Sequence, residues 1–258
     1  GVIDVYFKVK SLHAKGIKVH LHCFHYGREQ SSMLNRYCAS VDYYPRNVAK
    51  SQLFLKQPYI VISRNSDQLL TNLLKDDYPI LFEGLHTCNI ITEERLKDRI
   101  KIVRTHNVEH DYYQNLAKVE SNIFKRYYFY NESSKLETFE QVLQHAKIIA
   151  AISRNYTAHF DKKYGNAFYI PAFHNNEQVN IMPGKGHFAF YHGNLAIGEN
   201  NEAALYLVNE VFNQIKIPLI IAGSRPTGDL RNAVAKKNHI TLIADLTTKQ
   251  IHQLIHDA

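Results

Sequence analysis

The chain has 258 residues, 45% of them hydrophobic, and a formal net charge of +7 at pH 7. This size and composition predict a globular protein with one large hydrophobic core or two smaller ones. No run of residues approaches the roughly 18 apolar residues that a membrane-spanning helix needs. The first residues also lack the basic and then apolar layout of a secretion signal. We therefore expect a cytoplasmic protein.

The cysteines and the basic residues narrow the class further. Cys23, Cys38 and Cys88 are far apart and form no CxxC pair, so a disulfide framework is not predicted. The densest basic groups, Lys125-Arg126 and Lys162-Lys163, are only pairs, whereas nucleic-acid-binding proteins concentrate cations in a stripe or patch. The charge therefore predicts no nucleic-acid partner. It favours phosphates or weak contact with an anionic membrane surface, which would place the protein at the inner face of the membrane.

Strand-like and helix-like segments alternate along the chain. The predicted strands, in chain order, are residues 17–24, 59–63, 80–82, 100–105, 148–152, 168–170, 188–191, 219–222 and 240–243. The predicted helices are residues 2–15, 136–146, 202–214 and 249–256, with Gly16 as a C-cap for the first. This alternation predicts βαβ units and parallel sheets.

The polar, turn-rich stretch FHNNEQVNIMPGKG indicates a connection between two domains. We predict an N-terminal Rossmann-like domain over residues 1–175, a linker over 176–186 and a C-terminal domain over 187–258. The last range holds about 70 residues, fewer than the usual 100–150 of a domain, and the chain opens with a helix where a doubly wound sheet opens with a strand. We therefore expect the first strand and part of the C-terminal domain to be missing, and the open C-terminal sheet to favour self-association.

Polar residues follow most of the predicted strands. In RIKIVRTHNVEHDYY, a β-branched run stops at Thr105 and gives way to His106, Asn107, Glu109 and His110. Loops at the carboxyl ends of parallel strands are where ligands bind in open α/β sheets, often in a cleft between domains. The other polar or glycine residues in such positions are Arg64, Glu83, Gly84, His86, Ser153, Arg154, Asn155, His174, His192, Gly193, Asn194, Gly223, Ser224 and Arg225.

The order of several segments resembles the GT-B glycosyltransferases of the family 4 type, and most of all a bacterial mannosyltransferase-like subgroup. The segments are HNVEHDYY, KLETFEQVLQHAKIIAAIS, YIPAFHNN, FYHGNLAIGENNEAALYLV, PLIIAGSRP and HITLIADL, and together they cover nearly the whole chain. The resemblance implies an α/β fold of GT-B type, with two facing Rossmann-like domains and parallel sheets. It also implies transfer of a sugar, with retention of configuration and without an obligatory metal or cofactor. The donor would be a nucleotide-diphosphate sugar and the acceptor a glycan or a lipid-linked molecule.

The resemblance, together with the strand-end positions, also assigns site residues. His106 is the expected catalytic residue, in a loop of the N-terminal domain near the donor sugar. The expected donor-binding residues are Gly193, Asn194, Gly223 and Arg225, and the expected sugar- or acceptor-binding residues are Gly1, Glu83, His86, Asn107, His110 and Arg154.

Two departures from the family pattern bear on activity. Family members have an Arg just after the glycine of the C-terminal domain that corresponds to Gly193, and a Lys a few residues later. This chain has Asn194 and Glu199-Asn200 at those positions. The family's E-x7-E segment would fall after residue 258. We therefore expect this chain alone to be inactive and the intact protein to be the enzyme.

Two alternatives belong to other functional classes. One is a degenerate transferase-like module that binds a glycan or partner, suggested by the missing cations. The other is a zinc metallopeptidase, because His106-x-x-Glu109-His110 matches the H-x-x-E-H pattern. That pattern needs both histidines on one helix, whereas His106 directly follows a predicted strand. Glu109 lies near the helix start, where a carboxylate stabilises the helix N-terminus as readily as it contacts a ligand.

Overall fold

The computed structural model describes residues 2–25, 27, 29–176, 178–179, 184 and 186–258. Gly1, an expected sugar- or acceptor-binding residue, lies outside these ranges. The chain divides into two compact units. The first unit comprises Gly1–Ala117 and Phe124–Glu177, and the second unit comprises Lys118–Ile123 and Gln178–Ala258.

Strands and helices alternate through the described residues. The strands are β1 (His20–His25), β2 (Ser40–Pro45), β3 (Ile80–Glu83), β4 (Lys101–Thr105), β5 (Ile148–Ala151), β6 (Ala167–Tyr169), β7 (Ala189–Asn194), β8 (Leu219–Ser224) and β9 (Ile240–Ala244). The α-helices are α1 (Val2–Ala14), α2 (Tyr59–Ile62), α3 (Asp67–Leu73), α4 (Glu109–Val119), α5 (Ile123–Phe139), α6 (Arg154–Tyr164), α7 (Gly198–Tyr206), α8 (Phe212–Gln214), α9 (Gly228–Ala235) and α10 (Thr248–Asp257). Short 3-10 helices cover Ser32–Arg36, Lys50–Phe54, Leu85–Ile90, Glu94–Leu96 and Glu140–His145, and a π-helical segment covers Leu207–Val211.

Among its described residues, the first unit contains two parallel sheets. One pairs β1 with β2, and the other has the order β3-β4-β5-β6. Its hydrophobic core is formed by strand residues such as Phe82, Val103 and Ile149, covered by helix residues such as Leu136 and Phe160, each at most 4% exposed. Because the paired strands are parallel, β3, β4 and β5 present their carboxyl ends at one edge of the sheet.

An apolar cavity of about 420 Å³ lies beside β1 and β3 in the first unit. Residues of α1, β1, α3 and β3 line it, and Lys8 and Glu83 are among them. Within the described residues, the edge of β1 away from β2 and the edge of β3 away from β4 have no strand partner.

The second unit contains one parallel sheet of order β7-β8-β9. Its core combines Leu219 and Ile221 of β8 with Val208 and Leu230 from the covering helices, all at most 2% exposed. Within the described part of the chain, no helix is long and apolar enough to cross a membrane.

Most predicted elements are confirmed, with shifted ends, and Gly16 has the positive φ of a C-cap (75°). The predicted strand over residues 59–63 is wrong: α2 occupies Tyr59–Ile62. Pro58 precedes this helix, the Tyr59 N–H donates a hydrogen bond of 2.6 Å to Glu132 Oε2, and Val61 is fully buried. Tertiary contacts therefore override the β propensity of the YIVI run.

Two further differences concern strands. The sequence did not predict β2, which contains Asp42 and Pro45. Proline is tolerated there because, among the described strands, β2 pairs with β1 alone and leaves one edge unpaired. Strands β7 and β8 also continue through Gly193-Asn194 and Gly223-Ser224, which had been expected in loops.

Candidate functional site

The carboxyl ends of β3 and β4 bring His106 close to Glu83. The register pairs Glu83 with Arg104, and His106 follows two residues later, before α4 begins. His106 Nε2 lies 3.6 Å from Glu83 Oε2, and the two side chains are 13% and 20% exposed. The strand ends therefore place an imidazole beside a carboxylate in a position that is largely shielded from solvent.

A chain of alternating charges continues from Glu83 into α1. Lys8 Nζ lies 2.6 Å from Glu83 Oε1 and 3.2 Å from Asp4 Oδ2. Asp4 Oδ1 in turn lies 3.1 Å from Arg104 Nη2. The residues Asp4, Lys8, Glu83, Arg104 and His106 thus form one connected group, which we call the inner cluster.

Asp4, Lys8 and Arg104 of the inner cluster are buried, and their charges are paired. Arg104 is 1% exposed and also donates hydrogen bonds to the carbonyls of Ile170 and Pro171. Burial alone would raise the pKa of Asp4, but hydrogen bonds from Arg104 and from the Phe173 N–H, with the positive charge of Lys8, lower it to about 2. The Asp4 carboxylate is therefore ionised throughout the physiological range.

Asp4, Glu83 and His106 also have the spacing of metal ligands, since one ligand atom from each lies within 4.8 Å of the others. Lys8 and Arg104, however, already contact these carboxylates. A divalent cation would have to displace an ammonium and a guanidinium group. The charge balance of the inner cluster therefore fits an ion-pair network better than a metal site.

His86 belongs to a second group at the same edge. It lies in the 3-10 helix that follows β3, and its ring packs over Gly84, whose φ is 94°. A Cβ on residue 84 would lie 2.5 Å from His86 Cε1, so only glycine permits this arrangement. Burial and the positive charge of Arg64, with smaller effects of His106 and Arg46, lower the pKa of His86 to about 3. The ring is therefore neutral at physiological pH.

Glu109 and Arg64 complete the second group. Glu109 is the first residue of α4 and is 8% exposed. Burial raises its pKa to about 7, although the positive charge of Arg64 and a hydrogen bond from Asn107 oppose the shift. A carboxyl group that titrates near neutrality at a strand end has the character of a functional acid or base. We call Arg46, Arg64, His86, Asn107 and Glu109 the outer cluster.

His110 and Arg154 point to other surroundings. His110 Nδ1 lies 3.2 Å from Glu140 Oε2, and His159 contacts the other oxygen of Glu140. Arg154 is the first residue of α6, where its guanidinium lies 5.2 Å from the centre of the Tyr169 ring. Among the residues described, His106, Glu109 and His110 do not form a metal-binding group, which argues against the zinc hypothesis.

The expected donor-binding residues lie at the carboxyl edge of the second unit. Asn194 Oδ1 accepts hydrogen bonds of 3.1 Å from the Ala196 N–H and from Ser224 Oγ, so it ties together the ends of β7 and β8. Gly223 packs so closely against the Gly193 carbonyl that a Cβ would overlap it. Arg225 is exposed, with the unusual φ of 50° for a non-glycine residue. These contacts give Gly223 and Asn194 a structural role within the unit.

Sequence reasoning missed the partners that hold His106. Asp4 and Lys8 are four residues apart on the predicted first helix and thus share a face, and Arg104 interrupts an apolar strand. A charged residue inside an apolar strand is the one signal that could have revealed the buried network. The sequence gives no comparable sign that Arg46 lies near Arg64.

Solved structures of other proteins share the architecture of this chain. A structure of Arabidopsis thaliana UGT89C1 complexed with UDP-L-rhamnose aligns with a TM-score of 0.55 and 11% sequence identity. The alignment covers 99% of this chain and 69% of the UGT89C1 chain. A structure of Phytolacca americana UGT2 complexed with UDP-2fluoro-glucose and pterostilbene aligns with a TM-score of 0.54 and 8% sequence identity, covering 99% of this chain and 71% of the UGT2 chain. The fold is that of GT-B glycosyltransferases. The predicted α/β class with parallel, Rossmann-like sheets is thus confirmed.

Sequence comparison adds one relative. It is an uncharacterized 44.6 kDa protein in the cps region of Klebsiella pneumoniae, 25% identical over 276 aligned positions that span all of this chain and 70% of the relative. No family model matches the chain.

Proposed function

We propose that this chain is part of a glycosyltransferase that moves a sugar from a nucleotide-diphosphate donor to a glycan or lipid-linked acceptor. The observation that carries the proposal is the position of His106, held by Glu83 at the carboxyl edge of the sheet in a GT-B fold. Sites at this edge bind ligands in open α/β sheets. Two of the solved neighbours are complexes with UDP-sugars, which supports the same donor class here.

The finer assignments belong to the same proposal. We infer a family 4, mannosyltransferase-like enzyme that retains the anomeric configuration and needs no metal or other cofactor. In the second unit, α7 begins four residues after β7 ends, and the N–H groups of its first turn suit a diphosphate. Gly193 and Asn194 end β7, and Gly223 and Arg225 lie at the end of β8, which pairs with β7. The name of the Klebsiella relative supports an acceptor that belongs to capsule biosynthesis. We infer that the enzyme then acts at the inner face of the cytoplasmic membrane.

His106 is proposed to act on the sugar. Its imidazole lies 3.6 Å from Glu83, which in turn pairs with Lys8 of α1, and this carboxylate favours the observed position of the ring before the donor binds. A group that is already in place where charge develops stabilises the transition state without a reorganisation cost. Nucleotide and diphosphate would rest on the second unit, so the loss of His106 should affect turnover more than nucleotide binding.

The test uses the intact protein and a panel of UDP- and GDP-sugars. Transfer or hydrolysis is followed by proton NMR, which also reports whether the product keeps the anomeric configuration of the donor. We expect His106→Ala to lower kcat by about 10²–10³, with the calorimetric Kd for the nucleotide unchanged. His145→Ala removes an exposed histidine of the first unit and serves as the control. Collapse of nucleotide affinity with normal kcat would place His106 on the nucleotide side instead.

The degenerate binding module is the second candidate, because Asn194 and Glu199-Asn200 stand where the family places Arg and Lys. If no nucleotide-sugar in the panel binds or turns over, this candidate replaces the enzyme. Self-association through the edge of β9 that has no strand partner among the described residues is a further proposal. Analytical ultracentrifugation showing a monomer at all concentrations would contradict it.

A further inference from the structure

The two arginines of the outer cluster converge on the last turn of α2. Arg46 Nη2 donates a hydrogen bond of 2.8 Å to Ser63 Oγ, and Ser63 Oγ lies 3.4 Å from the Ile60 carbonyl oxygen. Arg64 Nη1 donates to that same carbonyl. One hydroxyl and one carbonyl therefore separate the two guanidinium groups. Burial, and to a lesser degree repulsion from the like charge of Arg46, lowers the pKa of Arg64 to about 10.

His86 adds hydrogen-bonding capacity to this positive region. The end of α2 packs on the 3-10 helix that carries His86. Asn89 Nδ2 of that 3-10 helix donates a hydrogen bond of 3.0 Å to Asn65 Oδ1. Within the described ranges, neither ring nitrogen of His86 has a hydrogen-bond partner, and Arg64 donates to Ile60 alone. Several N–H groups of Arg64 and one imidazole thus remain available to a ligand.

In the described part of the chain, the guanidinium of Arg64 is not paired with a carboxylate. Considering residues 2–25, 27, 29–176, 178–179, 184 and 186–258, no carboxylate lies within 4 Å of Arg64 or of His86. The nearest acidic group in the outer cluster, Glu109, is about half protonated at neutral pH. The inner cluster next to it is already neutralised by its own pairs. A half-buried guanidinium without a counter-ion is costly unless a ligand supplies the charge.

We propose that Arg64 and His86, supported by Arg46, form a binding site for a phosphate group, and that this phosphate belongs to the acceptor substrate. The planar fork of an arginine matches two oxygens of a phosphate, and the neutral imidazole can donate one further hydrogen bond. Assigning the phosphate to the acceptor rests on the proposed function, because the first unit is the acceptor side in that proposal. Binding of the phosphate itself does not depend on glycosyl transfer.

Binding is measured on the intact protein without nucleotide-sugar, by calorimetry with inorganic pyrophosphate and with glycerol 3-phosphate. We expect Arg64→Gln to weaken binding on the order of 10- to 100-fold, as loss of a charged hydrogen-bond pair does. Arg95→Gln is the matched control, because Arg95 is an exposed arginine of the same unit paired with Glu93. Arg64→Lys keeps the positive charge but not the planar fork of the guanidinium, so its affinity for these compounds should lie between those of the wild type and Arg64→Gln. It also covers the case in which Arg64→Gln does not fold.

A second arm separates soluble from lipid-linked phosphate. Vesicles of phosphatidylcholine with and without phosphatidic acid are sedimented with each variant. Arg64-dependent binding to phosphatidic acid assigns the site to a lipid-linked phosphate, whereas Arg64-dependent binding of the soluble compounds alone assigns it to a free phosphorylated sugar. Equal affinity of wild type, Arg64→Gln and Arg64→Lys for every probe, or no binding by wild type, overturns the proposal. Arg64-dependent phosphate binding in a protein that turns over no nucleotide-sugar would leave the site standing and remove only the transferase.

Discussion

Replacing Asp4 by Asn should destabilise the first unit strongly at neutral pH. Asp4 is 5% exposed and faces Lys8 and Arg104, and Asn keeps its size and can still accept the hydrogen bond from the Phe173 N–H. The charge is removed, and the Oδ2 acceptor that faces Lys8 Nζ and Arg104 Nε becomes an amide donor. Lys8 retains Glu83 as a partner, but Arg104 is left as a buried cation without a carboxylate. Breaking a buried pair in this way costs about 3–5 kcal/mol, and we expect a loss near the lower end.

The pH dependence gives a second estimate of the same interaction. The pKa of Asp4 falls from 3.8 in the unfolded chain to about 2 in the folded protein, and about 1.36 kcal/mol per pKa unit makes this worth roughly 2.4 kcal/mol. Because the folded pKa is the lower one, this stabilisation is complete above about pH 4. It is lost as the pH falls toward 2. The wild type and Asp4→Asn should therefore converge in stability over that acidic range.

The assay is hydrogen exchange of β4 and β5 in increasing urea, read by mass spectrometry, because it reports on the first unit separately from the second. The control is Glu94→Gln, which breaks an ion pair with Lys97 whose side chains are 79% and 62% exposed. Exposed pairs contribute at most about 1 kcal/mol. If Asp4→Asn costs no more than Glu94→Gln at pH 7, the reasoning about the inner cluster is refuted.

Three other predictions concern local geometry and metal content. Gly84→Ala should destabilise the first unit by about 1–3 kcal/mol in urea denaturation, because it combines a positive φ with a clash against His86. Gly223→Ala should destabilise the second unit by at least as much, because its Cβ would overlap the Gly193 carbonyl. Gly228→Ala, with open space around it, is the control for both and should be neutral or slightly stabilising. Elemental analysis of protein purified without added metal should show no stoichiometric zinc; about one zinc per chain, lost in His110→Ala, would revive the peptidase hypothesis.

The sequence predicted the sheet architecture because its strongest signals are local. Apolar runs such as residues 148–152 and 219–222 end in polar residues, and the helices between them have clear periodicity, so parallel βαβ units follow directly. The errors occurred where distant residues decide the local structure. The YIVI run forms α2 because Glu132, more than 70 positions away, accepts a hydrogen bond from the first residue of the helix.

The site was only partly predictable for the same reason. His106 and Glu83 could be placed at one edge because each follows a predicted strand. The residues that hold them could not, because Asp4 and Arg104 are 100 positions apart and Lys8 meets Glu83 across 75 positions. His110 was assigned to the ligand site by its closeness to His106 in sequence. The first turn of α4 instead directs it to Glu140.

The two clusters differ in a way that bears on how the site works. In the inner cluster, each charge has an opposite charge beside it, so its geometry is set before any ligand arrives, and His106 inherits that rigidity through Glu83. In the outer cluster, Arg64 has a repelling neighbour and a half-protonated carboxyl group, so its charge distribution is completed only by an incoming anion. Preorganised groups favour the chemical step, and unsatisfied charges favour binding. We therefore propose that His106 takes part in the chemistry and that Arg64 and His86 recognise the ligand, and we expect variants of the two clusters to separate into kcat effects and affinity effects.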